Sequence, residues 1–389
     1  MSIDRNAKIC MTLKSDSDVD LFKSIMVQNK IKNITTFTNS TIAYENATRT
    51  QYDLFLTSIS LNDQPGIVLL QKLRACGNYG LEPHLFIGDA VDSETVNLFA
   101  EHGIEYVITK PYSPDKIINK LMYIFKQESN LSPAEAAYRN AKSALQSKMP
   151  DMALEMAMDA EKQFGSTEKL SILLGEIALS QGDIMKAREQ FQAALNTNQN
   201  SLAAQHKIAA TYMANKEYSE AKPILDRLAT ENPHHIQVLE NAGLTSLETG
   251  DFKKAKKYMG QLQTIDEGNK TATSVITRTK IEEGEFNGLA QDLKKTHTEK
   301  ELVSLLNSAG IKLSKEDKIQ EAINIYLNCL EVIETADFAG KVHYNLGLAY
   351  NKLGKEKQAV FHLERTLDNI PGMEKASVML NKLKKKLVA

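Results

Sequence analysis

A spacing of 34 residues dominates the carboxyl-terminal two-thirds of this sequence. The first four of a series of alanines are each 34 residues apart, and the later ones keep close to that step. The series is Ala153, Ala187, Ala221, Ala255, Ala290, Ala322 and Ala359. A period of this length is typical of arrays in which each repeat is a pair of helices that cannot bury its apolar face alone. The spacing therefore predicts an all-helical array over this part of the chain.

The clearest repeat runs from Val342 to Pro371. Gly347 stands where only a hydrogen lets the second helix approach the first, Gly354 ends the first helix, and Pro371 cannot continue the second. This unit resembles the tetratricopeptide repeat, a family whose arrays bind other proteins. The resemblance implies an α-solenoid of about seven helix pairs over residues 131–373, of which the fifth is the least regular. Residues 374–389 are expected to form a capping helix.

The amino-terminal third has a different rhythm, in which short apolar runs alternate with amphipathic stretches. This pattern predicts parallel strands with crossover helices. The expected strands are residues 9–13, 34–38, 53–57, 84–87 and 106–109. With Lys110-Pro111 closing the fifth strand, the order resembles the receiver domain of bacterial response regulators across residues 7–127. The resemblance implies a flavodoxin-like (βα)5 fold for a domain of residues 1–130, and so an α/β domain followed by an all-α array.

The same resemblance implies that phosphotransfer has been lost. Receivers carry the phosphoryl-accepting aspartate at the end of the third strand, where this sequence has Ser58, and their acidic pair falls on Leu13 and Lys14. Serine cannot form an acyl phosphate, and a leucine with a lysine cannot supply the oxygen ligands that Mg²⁺ requires. We therefore expect a pseudo-receiver, in which the retained Lys110 and Pro111 serve structure.

Composition and charge narrow the classes of function. The 47 basic and 49 acidic residues give a net charge of -2, which argues against nucleic-acid binding. The apolar stretches are too short for a secretory signal or a membrane helix, so we expect a cytoplasmic protein without membrane insertion. The three cysteines, Cys10, Cys76 and Cys329, are too far apart to indicate a disulfide framework or a zinc site.

No known catalytic motif is present in the sequence. The eight histidines do not have the spacing of a metal pair, and His234-His235, which follows Pro233, is expected to lie in a solvated loop. Phosphate loops, dinucleotide fingerprints and nucleophile elbows are absent. The sequence thus predicts no catalytic residue, no metal and no cofactor, and a protein that is not an enzyme. An active site assembled from scattered residues between the domains is left open as an alternative.

The first helices of such repeats line a concave groove, which is where a partner protein is expected to bind. Small-residue positions place mixed polar side chains there, without one dominant charge. The candidate partner-binding residues are Tyr138, Lys142, Glu176, His206, Lys207, Met213, Glu240, Asn241, Asn307, Lys315, Lys341, Asn345 and Asn351.

These features together predict a bacterial signalling adaptor. The pseudo-receiver would act as a docking or dimerisation module, and the repeat groove would bind partner proteins, so that one chain raises the effective concentration of its partners. Self-association through the receiver's fourth and fifth helices is left open. An alternative is a regulator in which the receiver-like domain switches the groove in response to a signal other than aspartyl phosphate. The short link over residues 128–131 predicts a preferred orientation of the two domains.

Overall fold

The computed structural model of the protein describes residues 6–388, and residues 93, 94 and 388 through their backbone only. The chain divides into two compact units, one that ends at Thr249 and one that begins at Gly250. The first unit contains a parallel sheet with its helices and a set of helix pairs. The second unit is entirely helical over the described residues.

The sheet has five parallel strands in the order β2-β1-β3-β4-β5. The strands are β1 (Ile9–Thr12), β2 (Ile34–Phe37), β3 (Leu54–Ser58), β4 (His84–Gly88) and β5 (Tyr106–Thr109). Each predicted strand is confirmed to within one residue at either end. This order is that of the flavodoxin-like doubly wound fold, in which the chain reverses direction beside the first strand.

Five helices cover the two faces of the sheet, and alternation along the strands decides which side chains each face receives. The helices are α1 (Asp16–Gln28), α2 (Ser40–Ala47), α3 (Gly66–Ala75), α4 (Ser93–Glu101) and α5 (Pro114–Ser129). Ile9 and Met11 pack with Phe22 of α1 and Leu121 of α5. Cys10, between them in sequence, packs on the other face with residues of α2 and α3. Burial on both faces explains the unbroken apolar runs of the strands.

The helices that follow α5 form pairs with short connections. In the first unit they are α6 (Pro133–Gln146), α7 (Pro150–Phe164), α8 (Glu168–Ser180), α9 (Ile184–Thr197), α10 (Leu202–Ala214), α11 (Tyr218–Glu231) and α12 (Ile236–Glu248). In the second they are α13 (Phe252–Ile265), α14 (Lys270–Glu282), α15 (Leu289–Lys294), α16 (Glu299–Lys315), α17 (Ile319–Leu330), α18 (Ala336–Lys352), α19 (Glu356–Asn369) and α20 (Glu374–Val388). Within each unit of the described chain, successive helices pack as pairs: α6 with α7, α8 with α9 and α10 with α11 in the first, and α14 with α15, α16 with α17 and α18 with α19 in the second. The predicted α-solenoid architecture is confirmed.

Glycine at the helix crossings has a direct steric cause. A Cβ added to Gly310 of α16 would lie 2.4 Å from the ring of Tyr326 in α17, and one added to Gly175 of α8 would lie 2.3 Å from the ring of Phe191 in α9. Both rings are buried and cannot move aside. The same holds at Gly347, where the obstacle is the side chain of Leu363 at 2.8 Å. The small residues of the repeat are therefore requirements of packing.

The pair formed by α14 and α15, which corresponds to the fifth predicted repeat, departs from the others. Its second helix, α15, has only six residues and begins after Gly288, whose φ of 72° lies in the left-handed region. Leu289 and Ala290 are nevertheless fully buried, as the 34-residue step predicts. Helix α20 packs on α19 and buries Ala376, Leu380 and Leu383 against it. Within the described part of the chain, no helix has both the length and the apolar character to cross a bilayer.

Candidate functional site

The end of β3 is the place where a receiver accepts phosphate. Ser58 lies there, 6% exposed, and its hydroxyl oxygen accepts a hydrogen bond of 3.0 Å from the backbone N–H of Lys14. Leu13, at the first position of the acidic pair, is fully buried in the sheet core. The Ser58 side chain therefore links the end of β3 to the residues that follow β1. Those residues, Leu13 and Lys14, bring an apolar side chain and a lysine to this edge of the sheet.

Lys110 lies at the same edge, and its peptide bond to the following Pro111 is cis. Its Nζ is 3.0 Å from Oδ1 of Asp89 and 3.9 Å from Oδ2 of Asp18, and the hydrogen bond to Asp89 raises the pKa of Lys110. The lysine that would bind a phosphoryl oxygen in a receiver thus pairs with two carboxylates of its own domain. With 44% of its side chain exposed, this pairing contributes little to stability.

A second polar site joins the sheet domain to the helix pairs inside the first unit. Gln71 of α3 is 7% exposed, and its side-chain amide donates to the carbonyl oxygen of His234 and accepts from the N–H of Ile236, both at 2.8 Å. Ile236 is the first residue of α12, and the first N–H groups of a helix have no partner within it. Gln71 therefore caps a helix of the repeats from a different domain.

His235 precedes α12 and caps it from within. Its Nδ1 accepts the N–H of Val238 at 3.4 Å, which leaves the proton on Nε2. That nitrogen lies 2.8 Å from Oε1 of Glu101, the last residue of α4. His235 is 2% exposed, so the prediction of a solvated loop was wrong at this residue. The sheet domain covers the turn, which no local pattern could indicate.

His206 of α10 completes this cluster of buried side chains. Its Nδ1 is 3.9 Å from the same Glu101 oxygen, and its Nε2 is 3.1 Å from Nδ2 of Asn241. The side chains of His206 and Glu101 are 6% and 7% exposed. We call Glu101, His206 and His235 the interdomain triad. Three elements supply its members, and only one of the three belongs to the sheet domain.

Electrostatics in the interdomain triad favour an ionised carboxylate beside a neutral His206 ring. Burial by itself would raise the pKa of Glu101, but the hydrogen bond and charge of His235, followed by His102 and His206, bring it below its ordinary value. Burial lowers the pKa of His206 to about 3, and it does the same for His102. Nε2 of His102 is buried and has no hydrogen-bond partner. Its ring centroid lies 5.5 Å from that of His235.

Among the candidate partner-binding residues of the first unit, His206 is a member of this triad and Asn241 contacts it. Lys207 pairs with Glu176 at 2.6 Å, and although burial opposes both charges, the attraction between them lowers the pKa of Glu176 and raises that of Lys207. Lys142 lies beside Tyr138, with Nζ 5.8 Å from the ring centroid. His206 is buried against Glu101 rather than open to solvent. Asn241 supports the His206 ring, and Met213 and Glu240 are half-buried.

The candidate residues of the second unit form a separate polar surface on α16 and α18. Asn345 donates to Oδ1 of Asn307 at 2.6 Å, which joins the two first helices. Lys341 pairs with Asp337 one turn earlier, at 2.5 Å. Lys315 is exposed and Asn351 is half-buried. Lys341 is also exposed, whereas Asn307 and Asn345 are half-buried.

Side-chain contacts that the sequence did not reveal hold together the two sides of the short link between α5 and α6. Arg139 of α6 donates two hydrogen bonds to the carboxylate of Glu128 in α5, at 2.6 and 3.2 Å, and a third to Glu135. Gly80 of the sheet domain packs against Gln146 of α6 so closely that a Cβ there would lie 1.6 Å from the amide nitrogen. Neither Gln71 nor Glu101 carries a motif, and both pair with residues more than 130 positions away. The sequence placed His206 and Asn241 among the candidate partner-binding residues and His235 in a loop after Pro233, but it linked none of them to Gln71 or Glu101.

Comparisons with known proteins agree with this architecture. Residues 16–122 match the family model for the response regulator receiver domain. Models for the tetratricopeptide repeat match residues 178–240, 236–269 and 340–371.

The curated relative Protein O-mannosyl-transferase TMTC3 of Homo sapiens is 27% identical over 276 residues, which are 69% of this chain and 24% of that protein. The chain thus spans about a quarter of the length of this relative. A tetratricopeptide repeat protein from Parabacteroides merdae matches 64% of this chain and 98% of its own, at 16% identity and a TM-score of 0.41. The chemotaxis protein CheY4 of Vibrio cholerae matches 30% of this chain and 98% of its own, at 15% identity and a TM-score of 0.28. On the family models, the chain carries a response regulator receiver domain followed by tetratricopeptide repeats.

Proposed function

We propose that this protein is a non-catalytic scaffold in bacterial signalling, in which a receiver domain unable to accept phosphate is docked on the repeats and the repeats bind partner proteins. The observation that carries the proposal is the capping of α12 by Gln71 across the domain boundary. The Gln71 side chain is 7% exposed and makes two hydrogen bonds of 2.8 Å, so the receiver domain is attached to the repeats by buried polar contacts. The proposal places the protein in the cytoplasm.

Loss of phosphotransfer is supported by the residues at the end of β3. The Ser58 hydroxyl is engaged with the backbone of Lys14, and Leu13 is buried where a magnesium ligand would stand. A hard divalent cation needs several oxygen ligands, and these positions offer none from their side chains beyond the one hydroxyl. The full chain should therefore show no mass increase with acetyl phosphate and Mg²⁺, while an active receiver treated in parallel is phosphorylated. Stoichiometric phosphorylation that maps to Asp16, Asp18 or Asp89 would contradict this part of the proposal.

Partner binding is proposed for the first-helix surfaces of the repeats, and the second unit offers the more accessible one. Asn307 and Asn345 face each other across α16 and α18, and paired amides of this kind can hydrogen-bond the backbone of an extended peptide. In the first unit, the residues around His206 lie against the receiver domain. We therefore assign partner capture to the second unit and domain docking to the first.

Affinity capture with the full chain tests this assignment. The Asn307→Ala/Asn345→Ala variant should lose its captured partners. The matched control, Asn324→Ala, removes an exposed amide from α17, the second helix of a pair, and should retain them. Retention by the double variant, with its helical content intact, would refute the assignment to α16 and α18.

A second candidate function is a switch, in which a signal releases the receiver domain from the repeats. The observation that favours it is the burial of ionisable groups, Glu101, His206 and His235, at the contact between the domains. Such a contact costs more to form than an apolar one and depends on the charge state of its members. If partner capture by the full chain increases when Gln71→Ala weakens the docking, the switch is favoured, and if capture is unchanged, the fixed scaffold is favoured.

A further inference from the structure

The interdomain triad has the composition of a site for a transition-metal ion. It offers two imidazole nitrogens and one carboxylate oxygen, and these three atoms lie within 4.8 Å of one another. Neighbouring ligands of a tetrahedral Zn²⁺ ion are about 3.3 Å apart, given metal–ligand bonds of about 2.0–2.1 Å. The measured separations from Glu101 Oε1, 2.8 Å to His235 Nε2 and 3.9 Å to His206 Nδ1, bracket that value. Shifts of about half an ångström would bring these two pairs to ligand spacing.

A second observation is independent of the triad. Nε2 of His102, the residue that follows Glu101, is buried without a hydrogen-bond partner, although its ring is 5.5 Å from the His235 ring. Buried polar atoms are almost always partnered in native proteins, and a water at the fourth position of a metal site in the triad would supply the partner that this nitrogen lacks. We propose that the interdomain triad binds a zinc-class divalent ion, with His206, His235 and Glu101 as protein ligands and a fourth position open to water. This inference does not depend on the scaffold function proposed above.

The choice of metal class follows from the donors. Two imidazoles and one carboxylate suit Zn²⁺, Co²⁺ or Ni²⁺, whereas Ca²⁺ and Mg²⁺ require more oxygen ligands than the triad supplies. The carboxylate of Glu101 supplies one negative charge in a site from which water is largely excluded.

The protons of both imidazoles can be accounted for. In the free protein, Nε2–H of His235 faces Glu101, and Nδ1 accepts the long 3.4 Å bond from Val238. When a metal binds Nε2, the ring proton moves to Nδ1 and that weak capping bond is lost. In His206, the metal takes Nδ1, the proton moves to Nε2, and the Asn241 amide turns so that its oxygen accepts it. Each ring keeps one proton, and Asn241 becomes the outer partner that orients a metal-bound histidine.

Such an ion would join three elements that are distant in sequence. Glu101 ends α4 of the receiver domain, His206 lies in α10, and His235 precedes α12. Because an unfolded or undocked chain cannot present these ligands together, binding free energy would appear as stability of the docked arrangement. The ion would thus fix the receiver domain on the repeats.

Metal binding is tested with the full chain after removal of metals by a chelator and dialysis. Titration with ZnCl₂ should give one tight site by calorimetry, and an excess of 100 times Kd should raise Tm by about 5–10 °C. Co²⁺ should produce the visible absorption bands of a four-coordinate N/O site. MgCl₂ should do neither. If ZnCl₂ neither binds at one equivalent nor raises Tm, the proposal is refuted.

Variants locate the site. Glu101→Gln keeps an oxygen that can accept from His235 but removes the anionic ligand. It should weaken Zn²⁺ binding by about 100-fold, the upper end of the loss that follows from changing a residue outside the ligand set. His206→Gln, checked for folding by circular dichroism, should do the same. The matched control is His343→Gln/His362→Gln, which removes the other close histidine pair, whose Nδ1 atoms are 3.0 Å apart. If this control loses the zinc site while Glu101→Gln keeps it, the triad is not the site.

Discussion

Replacing Gln71 with alanine tests whether the receiver domain is built into the repeats. The amide is the partner of two backbone groups, the part-buried carbonyl of His234 and the buried N–H of Ile236. A buried polar group left without a partner costs about 1–3 kcal/mol, and water can recover part of that. We therefore expect Gln71→Ala to destabilise the first unit by about 2–4 kcal/mol, equivalent to a Tm decrease of several degrees.

The measurement has a local and a global component. Hydrogen exchange followed by mass spectrometry should show faster exchange at the Ile236 amide, by about 30-fold for each 2 kcal/mol of lost protection. Urea unfolding should be followed by circular dichroism, because the sequence contains no tryptophan. Peptides from the second unit serve as the internal reference.

Two further substitutions sharpen the interpretation. Gln71→Glu preserves size and can still accept from the N–H of Ile236, but it places a second carboxylate oxygen against the carbonyl of His234. It should therefore be at least as destabilising as Gln71→Ala. Gln192→Ala removes an exposed amide from α9 and should change stability by less than about 0.5 kcal/mol. If Gln71→Ala and Gln192→Ala have the same effect on hydrogen exchange and on urea unfolding, the capping of α12 by the receiver domain does not stabilise the protein and the docking argument fails.

Three other predictions follow from packing, burial and charge. Gly310→Ala should destabilise the second unit by about 1–3 kcal/mol because the added methyl group would collide with the buried ring of Tyr326. Gly260→Ala, in a helix with open space around it, should stabilise the unit by about 0.5–1 kcal/mol, and equal effects of the two variants in urea unfolding would refute the packing argument. Burial lowers the pKa of His84 well below its ordinary value, so the unfolded state binds more protons and stability should fall as pH drops below about 6.5. His84→Phe should reduce the slope of the free energy of unfolding against pH, obtained from urea unfolding at each pH, by up to about 1.4 kcal/mol per pH unit, and an unchanged slope would count against this. A double-mutant cycle on Arg139 and Glu128 should give a coupling of about 1 kcal/mol that decreases with added salt, and zero coupling at low salt would show that the bidentate pair does not join the domains.

The sequence by itself determined the features of the fold that recur at regular spacing, the helix pairs and the strands. A 34-residue step placed the helix pairs because each repeat needs a small residue at the same crossing, and Gly310 over Tyr326 shows the steric reason. Short apolar runs located all five strands because a parallel sheet covered on both faces needs unbroken apolar segments. The position of Ser58 at the end of β3 was equally clear from the sequence, because it depends on residue identity at a position that the strand pattern fixes.

Tertiary structure alone decided how the two domains meet. Gln71, Glu101 and His235 come from separate elements, and nothing periodic links them because each contact is made once. His235 read as a loop residue beside Pro233, yet the receiver domain covers it and leaves 2% of it exposed. Local patterns report what a segment needs from any neighbour, such as an apolar face or a helix cap. Which neighbour supplies it depends on the path of the whole chain, and here the cap of a repeat helix comes from a glutamine 165 residues earlier.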